Sequence, residues 1–252
     1  MRELHVNHEF LLSFAEEYEG NILDYGCGAG ETVNAGLARG LPIWGYDTYS
    51  AGHSRRRNML DEGLLTSARV RYSMDGRIPF DDAFFSIVIS NQVFEHVHDI
   101  DRALSEISRV LKPGGLIAAL FPTREVLREG HIGIPMSHWW PAGSRSRFLW
   151  VRTGRILGLG YHKGGKSLTQ WTTDSVDYLD NWTVYRSFHQ IKTRTAIHFK
   201  LTNAEPSYIR FRLRNTRLAF LVPTTRWPIV DRLQVWALHA LMGRVLILFK
   251  EA

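Results

Sequence analysis

At 252 residues, with 44% hydrophobic and 22% charged side chains, the chain suffices for one large domain with a sizeable core. A single cysteine excludes an internal disulfide and a thiolate metal centre, and the absence of a long uncharged apolar stretch or a signal peptide reads as a cytoplasmic protein. The net charge of +6 is uneven: residues 1–122 hold 11 Lys+Arg against 17 Asp+Glu, and residues 123–252 hold 20 against 8, so the second half suits an anionic partner or carries a solvated basic face.

Taken in chain order, residues 5–18 repeat apolar side chains at Val6, Phe10, Leu11, Phe14 and Ala15, the spacing of a helix. A short apolar strand, residues 21–25, runs into a glycine turn and a helix over about 31–38, which Gly40 closes. Further strands are predicted at 42–46, 68–72 and 84–90. The apolar residues 100, 103, 104, 107, 110 and 111 then mark a helix that Lys112-Pro113-Gly114-Gly115 stops, and 116–121 is a fifth strand. This alternation predicts an α/β fold, a parallel sheet covered on both faces, with ligands at the carboxyl ends of its strands. Residues 123–172 are rich in Gly, Trp, His and Arg and read as an insertion over the sheet. Residues 174–195 are expected to be largely helical. A further helix starts at Trp227-Pro228 with Gly243 as its cap, and 245–249 is a closing strand.

The chemistry concentrates at Asp24-Tyr25-Gly26-Cys27-Gly28-Ala29-Gly30. Glycines at 26, 28 and 30 let the backbone turn sharply and approach a ligand closely. A dinucleotide-binding turn would need its last glycine at 31, but Glu31 stands there and would repel a pyrophosphate. A ligand without phosphates suits the turn, and Asp24 suits one that carries a positive charge. Asp47, at the end of the second strand, is placed to accept both hydroxyl protons of a ribose.

Residues 22–30 resemble motif I of the class I S-adenosylmethionine (SAM)-dependent methyltransferases, and 77–88 resembles the stretch leading into their fourth strand. Glu95-His96-Val97 and Leu111-Lys112-Pro113-Gly114-Gly115 are similar to the pattern of the type 11 subgroup. The resemblance implies a Rossmann-like seven-stranded sheet with an antiparallel last strand and SAM as cofactor. It places Asp24, Gly26, Cys27, Gly28 and Gly30 at the methionine part, Asp47 at the ribose, Met74 and Asp75 at the adenine, and the Asn91 backbone along the cofactor. The expected organisation is a single domain: a SAM-binding core over 1–122, a substrate-covering insertion over 123–183, and completion of the sheet over 184–252.

Methyl transfer to a hydroxyl requires alignment and removal of a proton, and His96, His131 and His138 are the candidate bases. The 92–96 segment also resembles the metal-binding segment of ubiquinone-type O-methyltransferases. Gln92 stands where that family has an acid, so no metal is expected. Residues 129–141, with two histidines and two tryptophans, are similar to a run in some type 11 enzymes associated with cell-surface glycans and lipids; they suit a sugar or ring acceptor, or a lid packed by its own aromatics. Gly160 to Ser167 matches the P-loop expression but lies mid-chain, away from a first strand, and is discounted. The expected activity is O-methylation of a small anionic or glycan- or lipid-linked acceptor. The alternatives are RNA methylation, against which no RNA-binding module is found, and a non-catalytic SAM-binding partner protein. The C-terminal amphipathic helix admits a peripheral contact with the inner membrane surface.

Overall fold

The near-continuous apolar runs of the first half become strands buried on both faces. In the computed structural model, which describes residues 4–48, 69–73, 75–214, 216, 219 and 228–251, a sheet is built from β1 (Ile22–Tyr25), β2 (Ile43–Asp47), β3 (Val70–Tyr72), β4 (Phe85–Asn91), β5 (Leu111–Phe121), β6 (Phe199–Asn203) and β7 (Arg244–Lys250). Their order is β3-β2-β1-β4-β5-β7-β6. The first five strands are parallel; β7 runs antiparallel to both its neighbours, pairing Leu116 with Phe249 at one end and Phe121 with Arg244 at the other. The expected seven-stranded methyltransferase-type sheet is therefore observed. The strand expected at 68–72 is described from Val70, because Ala68 lies outside the described residues.

Helices cover both faces. On one side α1 (Val6–Ala15), α2 (Glu31–Ala38), α7 (Glu205–Leu213) and α8 (Pro228–Leu241) bury Leu11, Leu12, Val33, Tyr208 and Leu238 against Ile22, Ile43, Ile87 and Ile247. On the other, α3 (Ile100–Val110) and α6 (Phe188–Thr195) pack against Leu23, Val88, Ile117 and Leu246. The α3 stripe is the one expected: Ile100, Ala103, Leu104, Ile107 and Val110 are buried, and the Asp99 side chain accepts from the Arg102 N–H to cap the first turn, worth about 1 kcal/mol. The helix stops at Val110, and β5 begins at Leu111 rather than Leu116. Leu111 pairs with Phe85 and Leu116 with Ile87, and the residues between them bulge out through Gly114 in a left-handed conformation (φ 74°).

The insertion has its own small core. After a 3-10 turn at Ser137–Trp139, α4 (Arg145–Ile156) and α5 (Leu168–Trp182) bury Ile134, Val151, Trp171 and Leu179 between them. The Gly160–Ser167 segment is the turn between these helices, and the Ser167 side chain caps α5 by accepting from Gln170 N–H. With a helix before it and Lys166 paired to Asp174 at 2.6 Å, it lacks the strand that a P-loop requires. The helical expectation for 174–195 resolves into the end of α5 and α6, joined by an extended stretch.

Candidate active site

The turn after β1 takes the conformation its glycines allow. Gly26, Gly28 and Gly30 all have positive φ (78°, 53° and 75°), and a side chain at Gly26 would run into Val93 of the loop after β4. The turn hangs on β2: Gly26 and Cys27 N–H donate to the Tyr46 carbonyl at 2.8 and 3.1 Å, and Gly28 N–H donates to Asp47 Oδ2 at 2.9 Å. Asp47 thus stands at the carboxyl end of β2, bonded to the turn. Cys27 is buried against Gly45, where an added Cβ would come within 2.7 Å of its Sγ. Asp24 is 4% exposed, and its Oδ2 has no hydrogen-bond partner among the described residues. Burial pushes its pKa up to about 7, the Thr32 hydroxyl bond working against this and the Asp47 charge adding to it.

The turn is roofed by side chains that sequence reasoning did not single out. His8 Nδ1 is 2.6 Å from Thr32 Oγ1, and its Nε2 is 3.0 Å from Asn91 Nδ2. Asn91 Oδ1 accepts from Asn7 Nδ2 at 3.2 Å, and the Tyr208 hydroxyl donates to Asn7 Oδ1. The chain of bonds ties α1 over the ends of β1 and β4. No local pattern announces it, because its members are single polar residues spread over α1, α2, β4 and α7. Asp75 is exposed and its Oδ1 accepts from Arg77 N–H at 3.0 Å within its own turn; Met74 lies outside the described residues.

The loop that follows β4 carries a second constellation. Gln92 sits in the left-handed region (φ 56°), an uncommon conformation for such a residue and a local strain at the strand's end. Four residues on, His96 Nδ1 lies 2.6 Å from the Trp182 carbonyl, and since a carbonyl only accepts, this nitrogen carries the proton. His131 Nδ1 lies 2.7 Å from Glu129 Oε1 and 3.1 Å from the Tyr185 hydroxyl. The two Nε2 atoms face each other at 3.1 Å. Glu129, fully buried, accepts from His131 N–H, Ile132 N–H and the Tyr185 hydroxyl as well, at 2.6–3.0 Å.

The electrostatics follow from these contacts. Burial opposes protonation of His131, but the Glu129 hydrogen bond and the charges of Glu129 and Glu95 outweigh it and raise the pKa. Burial likewise opposes ionisation of Glu129, yet its bonds to His131 and the backbone hold the carboxyl below its usual value. Burial and Glu129 push the Tyr185 phenol far up, so it acts only as a neutral hydroxyl. Glu95, beside the pair and 1% exposed, has both carboxylate oxygens without a hydrogen-bond partner outside its own residue among the described residues, and burial pushes its pKa up to about 7. Glu95, His96 and His131 bring one potential ligand atom each to within 4.8 Å of one another. Were a cation bound here, Glu95, His96 and His131 would be the residues that hold it.

Two of the three candidate histidines are thus brought together, and the third is not. His138 lies against the Tyr185 ring (centroids 4.2 Å apart), and its Nε2 lies 3.3 Å from the Arg124 carbonyl. Burial lowers its pKa to about 4. It lines a polar cavity of about 210 Å³ with Arg124, Trp140, Arg147, Thr183 and Tyr185. Sequence reasoning did not single out Glu129, Tyr185 and Arg186 as site residues. The signal for Glu129 was its two-residue spacing from His131; the others carry none. Arg186 donates to the Phe94, Val97 and His98 carbonyls at 2.6–3.2 Å and so pins the loop that bears His96.

Residues 23–119, β1 to β5 with both loops just described, match the type 11 methyltransferase domain family. The chain is 29% identical to the ubiquinone biosynthesis O-methyltransferase of Maricaulis maris over 172 residues, which is 67% of each protein. It is 30% identical to the demethylmenaquinone methyltransferase of Chlorobaculum tepidum over 125 residues, 45% of this chain and 46% of that relative. Its fold is similar to that of a geranyl diphosphate C-methyltransferase from Streptomyces coelicolor, with a TM-score of 0.50, 16% identity, and 98% of this chain and 75% of that one covered. By its glycine turn, its strand order and these matches, the chain is similar to the class I SAM-dependent methyltransferases, and its residues 23–119 match the type 11 group.

Proposed function

We propose that the chain methylates an oxygen of a small acceptor, anionic or glycan- or lipid-linked, and that the His96–His131 pair receives the acceptor's proton. The observation that carries this reading is the 3.1 Å approach of two Nε2 atoms whose Nδ1 atoms are each held by an acceptor, Trp182 O and Glu129. Both imidazoles then direct their remaining nitrogen at one point, beside the loop whose Val93 packs on Gly26.

SAM, when bound, supplies a methyl group already activated on a sulfonium. The residues proposed to hold it fit such a group. Gly26, Gly28 and Gly30 leave room for close approach, the orphaned Asp24 oxygen offers a partner to an ammonium, and Asp47 stands where a ribose would meet a carboxylate. Asn91, bound through its side chain to α1, leaves its backbone for the cofactor. With His131 protonated, its Nε2–H donates to His96; once that proton has left, either Nε2 can accept a hydroxyl proton and share it with the other. Glu129 stabilises the imidazolium so formed, and Tyr185 and the backbone N–H groups hold Glu129 in place. The cavity beyond Tyr185, with Arg124, Trp140 and Thr183, offers donors and an indole to a hydroxylated or anionic head group. The O-methyltransferase name of the Maricaulis maris relative supports oxygen as the receiving atom.

The test is transfer of tritiated methyl from SAM into sugar nucleotides, lipid extracts, quinols and RNA. Label in a small hydroxylated acceptor, lost in His96→Ala and His131→Ala, is the expected result; label in RNA alone overturns the reading. A chelator arm completes it. Turnover that needs an added divalent cation would make Glu95, His96 and His131 ligands, and the proton would go elsewhere.

A further inference from the structure

An amphipathic surface helix turns its apolar stripe inward, and α4 does the reverse. Its inner face holds Arg147, Val151 and Gly154, all buried, with Arg147 paired to Asp180 and donating to the Trp140 carbonyl. Its outer face presents Leu149 (61% exposed) and, two turns later, Ile156 (63%), followed by Leu157 (73%) and Leu159. Single exposed aliphatic residues are ordinary, but four grouped on one helix and the turn that continues it are not. The half-exposed indole of Trp150 stands on the same helix, donating to the Pro135 carbonyl at 2.7 Å and lying against Trp140.

The charges carried by the ridge itself have one sign, and of the acids on the neighbouring α5, Asp174 and Asp180 are paired with Lys166 and Arg147. From Gly130 to Thr173 the sequence contains no Asp or Glu, while it holds Arg145, Arg147, Arg152, Arg155, Lys163 and Lys166. Arg145 and Arg152 flank Leu149 and Ile156 on the outward side of α4. We propose that the outer face of α4 and the turn after it form a docking surface for an anionic lipid bilayer, the aliphatic side chains entering the acyl boundary and the basic ones meeting the head groups. A helix of 12 residues, about 18 Å long, lies in such an interface without crossing it. Half-buried tryptophans with one satisfied N–H suit the boundary between hydrocarbon and water. A nucleic acid would use the basic side chains but leave the aliphatic centre in water. The outer face of α8 also exposes Ile229, Leu233 and Trp236, but residues 220–227 leading into it lie outside the described residues and Asp231 stands in its first turn. The absence of an acid from α4 itself singles it out. The cavity lined by Trp140 and Arg147 borders this helix, so docking brings it next to the lipid surface.

The experiment is co-sedimentation of the whole chain with vesicles of phosphatidylcholine alone and of phosphatidylcholine mixed with phosphatidylglycerol. Binding to the mixed vesicles is expected to exceed that to the neutral ones by about tenfold or more and to fall at high salt. The L149S/I156S/L157S variant should lose about tenfold or more of that binding while keeping its circular dichroism and its SAM affinity. A second variant, R145S/R152S, should lose the preference for phosphatidylglycerol. The proposal is overturned if the wild type stays in the supernatant with mixed vesicles, or if the triple variant sediments as the wild type does. It is equally overturned if sedimentation equilibrium shows a dimer that the triple substitution makes monomeric, because the face would then belong to a second copy.

Discussion

Asp24, near the carboxyl end of β1, and Glu95, in the loop after β4, are each buried and each have an oxygen without a hydrogen-bond partner among the described residues. Their pKa values, raised from 3.8 and 4.5 to about 7, mean that the folded chain binds more protons than the unfolded one between about pH 4 and 7. Stability should therefore be greatest in mild acid and fall as pH rises to about 7, by roughly 2–4 kcal/mol for each group. Urea unfolding at pH 5 and pH 8 checks the sign, and Asp24→Asn should flatten part of the slope. An ammonium beside Asp24 would draw its pKa down again, so SAM affinity is expected to increase with pH across the same range. At the histidine pair the sign comes from Glu129, which raises the His131 pKa. Turnover should rise with pH through an apparent value above 6.5 that belongs to the pair. Glu129→Gln should move that limb to lower pH and cut the plateau about tenfold or more, read from kcat/KM profiles.

Single elements differ in how plainly the sequence announced them. α3 was legible because its five buried residues repeat at helical spacing and Asp99 precedes them. β6 was missed: Phe199–Asn203 is a short edge strand with mostly polar residues, and only pairing with β7 makes it a strand. α4 was missed because its apolar residues face outward, so its pattern does not point to a core. The loop after β4 illustrates what binds elements together. Arg186, from the stretch between α5 and α6, donates to the carbonyls of Phe94, Val97 and His98, a fork a lysine cannot reproduce. Arg186→Lys is expected to lower stability by about 1–3 kcal/mol and kcat by about tenfold, with SAM affinity changed little. Isothermal titration and steady-state kinetics on the one variant distinguish a loosened His96 from a damaged cofactor turn.

For the whole molecule, the basic second half is less available to a partner than the charge count suggested. Arg147 is buried against Asp180, Arg186 is spent on backbone carbonyls, and Arg244 lies over the Phe188 ring at 4.0 Å from its centre. Of the remaining 17 cations of residues 123–252, seven lie on the insertion and ten after it, all outside the residues that match the methyltransferase domain family. Under the proposed function, cofactor binding would fall to the core and acceptor choice to the insertion. SAM at a hundredfold excess over its Kd should stabilise the fold by about 2.7 kcal/mol, a Tm rise of about 5–10 °C. Asp47→Ala should shrink that rise, since it removes a carboxylate worth about 1.5–3 kcal/mol to a bound hydroxyl pair; differential scanning fluorimetry reads both.

By itself the sequence determined the order of the elements from α1 to β5, the class of sheet and the glycine turn. These depend on contacts and torsions a few residues apart: apolar periodicity, the left-handed φ of Gly26, Gly28 and Gly30, and an acid at the end of each of the first two strands. The tertiary structure alone decided that His131 meets His96 while His138 does not. It decided also that Glu95 is buried beside His96 and His131 and that α1 closes over the turn through His8 and Asn7. Those outcomes join residues 35 or more apart in the chain. They depend on which strand lies beside which and on how the insertion folds back, and no local pattern encodes either.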